Sequence, residues 1–245
     1  MKVLFSGYRI AGYECLKYLI EQNANIIGVL THDERADKIK IEPDKSVRLL
    51  ALQHNIPIIL DDNSLKNIVM LTKPDVHLSA FYKKKVPEEI IDMIPINTNI
   101  HGGRLPDYKG CFSPIWVILN EEKYADVTLQ FMGKKIDSGD IIKVETIKIN
   151  DDDTGKTLYY KITDVVIKLF KELYIKLKNG DKIKTYPQQI GGTYYNRQLP
   201  NDGFLDMNWS NDKKYNFIRA LDFSPLEPAK MKIGNKIIYM YTTKK

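Results

Sequence analysis

Hydrophobic and polar positions change their period repeatedly along this chain. "KVLFS" is a short apolar run, and the stretch from Tyr13 to Glu21 then puts Cys15, Leu16, Leu19 and Ile20 on one helical face. "NIIGVLT" is followed by a helical stretch from about Ser46 to His54 and by the run "IPIIL". A short helix near Leu65 to Leu71, the run "DVHLSAF", the helical "EEIIDM" and the strand "INTNI" continue the alternation. Strands and helices in this order predict an α/β fold with a parallel sheet and right-handed crossovers. Strands apolar on both faces predict helices above and below it. Next come an apolar helix, "SPIWVIL", two strands, "VTLQFM" and "IIKVETIKI", and an amphipathic helix from about Thr154 to Lys178. Its Leu158, Ile162, Val165, Val166, Leu169, Phe170, Leu173 and Leu177 recur at helical spacing, which assigns them to core packing and to no chemistry. "KNGDK" ends this helix with a glycine stop. From about Tyr186 the texture turns to Tyr, Asn, Gly and Pro. A short helix near Lys213 to Leu221 and the hairpin "AKMKIGNKIIYMY", turning at Gly234 and Asn235, close the chain.

Composition narrows the class. The 245 residues, 43% hydrophobic and 28% charged, suffice for one large domain or for a larger domain with a small appendage. No apolar run reaches the length of a membrane span, and the first is too short for a signal peptide. Cys15 and Cys111 make neither a zinc pattern nor a disulfide framework, so a reducing cytoplasm is the simplest compartment. The formal charge of +6 favours anionic partners such as phosphates, polyglutamate tails or nucleic acid. Most of that charge is scattered lysine, with runs at Lys83 to Lys85 and at the end, so charge alone does not argue for nucleic acid.

The candidate chemistry is local. In "SGYRIAG", Gly7 and Gly12 lack the middle glycine of a dinucleotide fingerprint, and no phosphate loop is present. The stretch reads as a tight strand-to-helix turn with Arg9 at its tip, placed to meet an anion. His32, His54 and His77 stand in no metal spacing. His54 is expected on a helix surface, and His77 in a structural hydrogen bond within a strand. His101 differs. It lies in "NTNIHGGRLPDYKG", the polar, glycine-rich exit from a buried strand, where open α/β sheets build their sites. Asn99 precedes it by two residues, on the same side of an extended segment. These two residues could be a turn-capping pair, and "DSGD" from Asp137 could be a turn. Equally, an amide, an imidazole and a carboxylate are what acyl transfer to an amine requires. The amide and imidazole can donate to a developing oxyanion; the carboxylate orients the ring and favours its protonated form as a proton leaves the attacking amine.

"NIHGGRLPDYKG", followed by "SPIWVILNEEKYADVTLQFMGKKIDSGDII", resembles the signature of the 10-formyltetrahydrofolate-dependent formyltransferases. That signature reads Asn-x-His-x-Ser-Leu-Leu-Pro-x-x-Arg/Lys-Gly, then a Gly-Val-Thr strand, then Asp-x-Gly-Asp. The likeness runs from "MKVLFSGYRIAG" to the helix ending near Lys178 and on into "TYYNRQLPNDGFLDMNW". Within the family the chain looks most like the sugar-nucleotide N-formyltransferases, through "SGYRIAGYECLKYL", "THDE", "LSAFYKKKVPEEI", "LPDYKG" and "YYNRQLPNDG".

The resemblance implies a Rossmann-like, mostly parallel sheet with helices on both faces and a small C-terminal helix and β-hairpin, divided into a catalytic domain over 1–185 and an extension over 186–245. It implies 10-formyltetrahydrofolate as formyl donor, no metal, and the amine of a nucleotide-linked amino sugar as acceptor, a dTDP-4-amino-4,6-dideoxyhexose, for surface polysaccharide of the O-antigen type. It puts Asn99, His101 and Asp137 in the catalytic triad and Phe81, Tyr82, Leu105 and Ile136 around the pterin. Arg9, Lys83 and Arg197 are assigned to the pyrophosphate and Tyr194 to ring or base contact. A cytoplasmic homodimer, with neither nucleic acid nor membrane as partner, is the expected context. Several positions depart from the pattern: Gly103 and Arg104 replace Ser-Leu, Lys109 takes the usual Arg position, Asp126 replaces the glycine before Val127 and Thr128, and "SPLEPA" stands for a later Pro-x-Pro-Gly-Ala segment. Methionyl-tRNA formyltransferase, glycinamide ribonucleotide formyltransferase, a formate-releasing hydrolase and a non-catalytic sugar-nucleotide or folate sensor are the rival readings.

Overall fold

The structure is a computed structural model that describes residues 1–32, 42 and 44–243. Asp33 and Glu34, which complete the "THDE" string, lie outside the described residues, as do Lys244 and Lys245.

The central strand, β1 (Lys2–Gly7), is buried from Val3 onward. Its alternation serves both layers: Val3 and Phe5 enter one apolar cluster and Leu4 the other. β2 (Asn25–Leu30), β3 (Ile58–Ile59), β4 (Val76–Ala80) and β5 (Ile96–His101) run parallel to it. "IPIIL" contributes only two residues to the sheet. β7 (Tyr124–Phe131) and β8 (Ile141–Lys148) then extend the sheet antiparallel, in the order β3-β2-β1-β4-β5-β7-β8. The connection between β7 and β8 is too short to carry a crossover, so those two must reverse. The two-residue β6 (Lys109–Gly110) lies between β5 and β7 in sequence but outside the main sheet.

Helices α1 (Arg9–Glu21), α5 (Ser113–Leu119) and α6 (Gly155–Asn179) cover one face, through Leu16, Ile115 and Phe170 among others. On the opposite face α3 (Asp62–Thr72) and α4 (Glu88–Met93) bury Leu65, Val69 and Ile90 against Leu4 and Ile59. α2 (Val47–Gln53) adds Val47 and Leu50 to the first cluster, with His54 exposed at its end. α6 begins with a reciprocal cap, Thr154 with Thr157, and ends at Gly180, whose φ of +75° is left-handed. Its expected stripe is buried or half-buried against the core. His77 is fully buried in β4 with a ring nitrogen 2.9 Å from Ser6 Oγ, a structural role.

Later residues fold back on this layer. β9 (Tyr194–Tyr195) pairs parallel with β6. α7 (Asn211–Leu221) buries Phe217 and Leu221 in the cluster under α5 and α6. β10 (Ala229–Ile233) and β11 (Lys236–Met240) form the closing hairpin, with Gly234 at φ +57° in its turn. No helix among the described residues is long and apolar enough to cross a membrane.

Candidate active site

Period-two alternation in β5 places Asn97, Asn99 and His101 on one side of the strand. Asn97 is structural: its amide donates to the Ile91 and Ile94 carbonyls at 2.9 and 2.7 Å. Asn99 and His101 instead line a cleft of about 580 Å³ at the carboxyl ends of the parallel strands. His101 is 9% exposed.

The chain after His101 turns sharply and comes back to it. Ser113 Oγ donates to the Gly102 carbonyl and Thr128 Oγ1 to the Gly103 carbonyl. Tyr108, at φ +54°, presents its carbonyl to His101 Nε2 at 2.7 Å. A side chain at 103 would interfere, because a Cβ there would sit 2.9 Å from both His101 Nε2 and the Tyr108 carbonyl oxygen. The departure at Gly103 thus makes room for the bond that holds the ring.

Asp137 comes from the loop between β7 and β8, where it adopts φ +52°. Its Oδ2 lies 3.4 Å from His101 Nδ1 and accepts from the Gly110 N–H at 3.1 Å. Its Oδ1 accepts from Gln130 Nε2 at 3.2 Å, and Gln130 Oε1 accepts from the Gly139 N–H at 3.2 Å. Gly139 is needed for that closure: a Cβ would lie 1.9 Å from the Phe131 carbonyl oxygen. Both imidazole nitrogens therefore face acceptors. With Nε2–H donated to Tyr108, Nδ1 is the atom free to take up a proton, and a carboxylate stands beside it.

Of the other residues singled out by sequence, Phe81, Tyr82, Ile136, Arg9, Lys83, Tyr194 and Arg197 all line the cleft. Leu105 does not. It is 4% exposed, and the turn that follows His101 packs it away from the opening. Arg104 is also directed elsewhere. Its Nε donates to Asp126 Oδ2 at 2.5 Å, and buried Asp126 also accepts from Thr146 Oγ1. Two departures from the family pattern thus meet as one ion pair, lining a smaller cavity of about 240 Å³ apart from the cleft. Lys109 donates to the Gly191 carbonyl at 3.1 Å. Ile162, assigned from the sequence to packing alone, also lines the cleft, beside Tyr159.

The sequence reading missed Gln130, Tyr108 and His32. Asp126, Thr128 and Gln130 are polar positions at period two, alternating with apolar ones in β7, and all three are buried, which is the signal for Gln130. His32 stacks on Tyr82 (centroids 4.9 Å apart), meets Tyr8 edge-on, and accepts from the Lys83 N–H at 3.2 Å. Burial, then Lys83, Lys84 and Arg197, push its pKa down to about 4, so it is a neutral acceptor at neutral pH. The Lys83 ammonium sits 3.6 Å from the Tyr8 ring centroid, a cation–π contact. Burial, then Asp62, pushes Tyr82 up to about 12.

Among the described residues no group of three or more His, Cys, Asp or Glu is placed to hold a metal. Fold and site together define an open α/β sheet carrying, at its strand ends, the amide, imidazole and carboxylate suited to acyl transfer. Residues 3–173 match the formyl transferase family, most of the chain's length, and the chain belongs to that family. Over 234 residues it is 37% identical to the bifunctional polymyxin resistance protein ArnA of Wigglesworthia glossinidia brevipalpis, covering 90% of this chain and 34% of that protein. The chain thus spans about a third of that curated relative's length. Its fold is similar to that of WlaRD, a sugar 3N-formyl transferase crystallised in the presence of dTDP and 5-N-formyl-THF (24% identity, TM-score 0.78, 98% of this chain and 85% of that one). It is similar also to that of the N-formyltransferase of Helicobacter canadensis in complex with folinic acid and dTDP-3-aminofucose (23% identity, TM-score 0.79, 96% and 85%).

Proposed function

We propose that this formyltransferase moves a formyl group from 10-formyltetrahydrofolate to the amine of a nucleotide-linked amino sugar, with a dTDP-4-amino-4,6-dideoxyhexose as acceptor and surface polysaccharide of the O-antigen type as its destination. The observation that carries this reading is the meeting of Asn99, His101 and Asp137 at the floor of a cleft whose mouth holds Arg9, Lys83 and Arg197. The folate and nucleotide ligands of the two solved structures, and the likeness to ArnA, support it.

The residues present fit a folate. Phe81, Ile91, Ile100, Met132 and Ile136 give the cleft an apolar wall suited to a flat aromatic bicycle. When bound, the folate would supply the formyl carbon that the amine attacks, and tetrahydrofolate would leave as the bond from that carbon to N10 breaks, N10 taking the proton given up by the amine. Asn99 is placed to donate to the formyl oxygen as charge develops there. His101 holds its Nε2 proton on the Tyr108 carbonyl and receives the amine proton at Nδ1, directly or through a water. Asp137, fixed by Gln130 and the Gly110 N–H, stabilises the resulting cation. Arg9, Lys83 and Arg197 bind the pyrophosphate, and Tyr194 the base or sugar ring. We assign catalysis to 1–185 and the acceptor contacts of Tyr194 and Arg197 to 186–245, in a cytoplasmic homodimer.

Incubation with 10-formyltetrahydrofolate and a panel of dTDP- and UDP-linked 3-amino and 4-amino sugars, read by mass spectrometry, tests this. One acceptor gaining a single formyl group is the expected result. Formate released at the same rate with and without acceptor would show a hydrolase, and retention of tRNA in place of any sugar nucleotide would transfer the reading to the methionyl-tRNA enzymes.

A further inference from the structure

The main chain of residues 108–111 serves two sets of partners. On its inner edge the Tyr108 carbonyl accepts from His101 Nε2 (2.7 Å) and the Gly110 N–H donates to Asp137 Oδ2 (3.1 Å). On its outer edge the Tyr108 N–H donates to Thr193 Oγ1 (3.0 Å), the Lys109 N–H to the Thr193 carbonyl (3.0 Å) and the Cys111 N–H to the Tyr195 carbonyl (2.8 Å). Lys109 Nζ adds its donation to the Gly191 carbonyl. The approach is so close that both sides need glycine. A Cβ at Gly110 would stand 2.2 Å from the Tyr195 carbonyl oxygen, one at Gly192 would stand 1.9 Å from that of Pro106, and both residues have positive φ.

The side chains lock the same register. The Tyr108 ring stacks on Tyr195, which stacks on Trp116. Tyr108 Oη donates to Glu122 at 2.7 Å, and Asn120 Nδ2 donates to both tyrosine hydroxyls. Alternation along β9 sends Tyr194 into the cleft, while Thr193 and Tyr195 line the smaller cavity behind it.

From this geometry we infer that the segment Thr193–Tyr195, which ends in β9, is a positioning element for the His101–Asp137 pair. Thr193 fixes, through Tyr108, the two main-chain groups that set the imidazole and the carboxylate, and the strand that recognises the acceptor through Tyr194 also orients the reacting residues. Thr193 is a positioning residue, since its hydroxyl reaches His101 only through the backbone of Tyr108. A role for that orientation in turnover rests on the formyl-transfer reading above; the orientation itself does not.

Thr193→Val keeps the side-chain shape and removes the acceptor, whereas Thr193→Ser keeps it. In full-length protein labelled with ¹⁵N-histidine, the His101 Nε2–H resonance, assigned by its loss in His101→Asn, is expected in the parent and in Thr193→Ser and absent in Thr193→Val. With the sugar nucleotide that accepts the formyl group, Thr193→Val should lower kcat roughly tenfold, as a small misplacement of a reacting group does, with the donor KM little changed. Thr193→Ser should restore kcat to about the parental value. A Thr193→Val protein that keeps both the resonance and kcat overturns the inference, as does equal loss in Val and Ser. Should Thr193→Val not fold, Lys109→Met loosens the same edge, and an unchanged resonance there overturns it too. If the parent transfers no formyl group, the reaction reading fails while the resonance still decides the positioning.

Discussion

At the floor of the cleft, His101 ends β5 and Asp137 stands in the loop between β7 and β8, and their polar atoms meet main-chain groups of Tyr108 and Gly110 and the buried amide of Gln130. At the mouth, Arg9 opens α1, Lys83 and Arg197 stand on loops and Tyr194 on the two-residue β9, and the contacts are of another kind: Lys83 over the Tyr8 ring, Arg9 beside it, and Tyr194 60% exposed. Backbone atoms cannot be exchanged by substitution, so the floor keeps one geometry across sequences that share its turns. The mouth is made of side chains alone and can be rewritten residue by residue. The proposed transfer of one group to a particular acceptor is suited by this division.

The largest effect that would sharpen the contrast is at the floor. His101→Ala is expected to lower kcat by roughly 10²–10⁴, and Asn99→Ala by roughly 10²–10³, each with little change in KM for the sugar nucleotide. Steady-state kinetics at saturating folate measures both, and an unchanged kcat in either breaks the role assignment. At the mouth, Arg197→Ala should leave kcat nearly intact and raise the acceptor KM about tenfold, the size expected for a lost charged hydrogen bond. That KM should climb with added salt in the parent more than in the variant.

Acid provides a third test, of the scaffold beneath both regions. Burial lowers the pKa of His77 from 6.5 to about 4. Its ring is neutral in the folded protein, while the unfolded chain binds a proton below about 6.5, so the stabilisation is complete above that pH and is lost as pH falls from 6.5 towards 4. About 3 kcal/mol is at stake in that window, and His32 acts in the same direction. Urea midpoints measured between pH 7 and pH 4.5 should fall less steeply in His77→Leu than in the parent. The smallest effect lies behind the cleft: a double-mutant cycle of Arg104→Leu with Asp126→Asn should give a coupling of about 0.5–1 kcal/mol, because Arg104 is largely solvated. Additive losses would show that the two departures are independent.

What the sequence revealed depended on periodicity. β1, β4, β7, β8 and the stripe of α6 were visible because a long buried face repeats its apolar residues. β6 and β9 were not, since two residues carry no period. Asn99, His101 and Asp137 stood out as rare polar residues in turn-rich strings, and the cleft gathers all three. The anchoring of His101 by the Tyr108 carbonyl was hidden, because every residue has a carbonyl and only the fold selects one. Leu105 was not legible for a related reason: only the folded turn decides which of its side chains faces the opening, and Leu105 is buried away from it. The Arg104–Asp126 pair looked like two separate departures because a loop residue after β5 and a residue of β7 become neighbours only in the fold.

The close seam at Gly110 and Gly192 bears on how such enzymes can be recombined. Exchanging the tail beyond residue 186 for that of a relative with another sugar preference would transplant Tyr194 and Arg197, but it would also replace half of a seam that tolerates no side chain at either glycine. A workable chimera must carry residues 106–111 along with the tail as one cassette, and a donor with any larger residue at either position would yield a protein that recognises its new sugar while its imidazole is out of alignment.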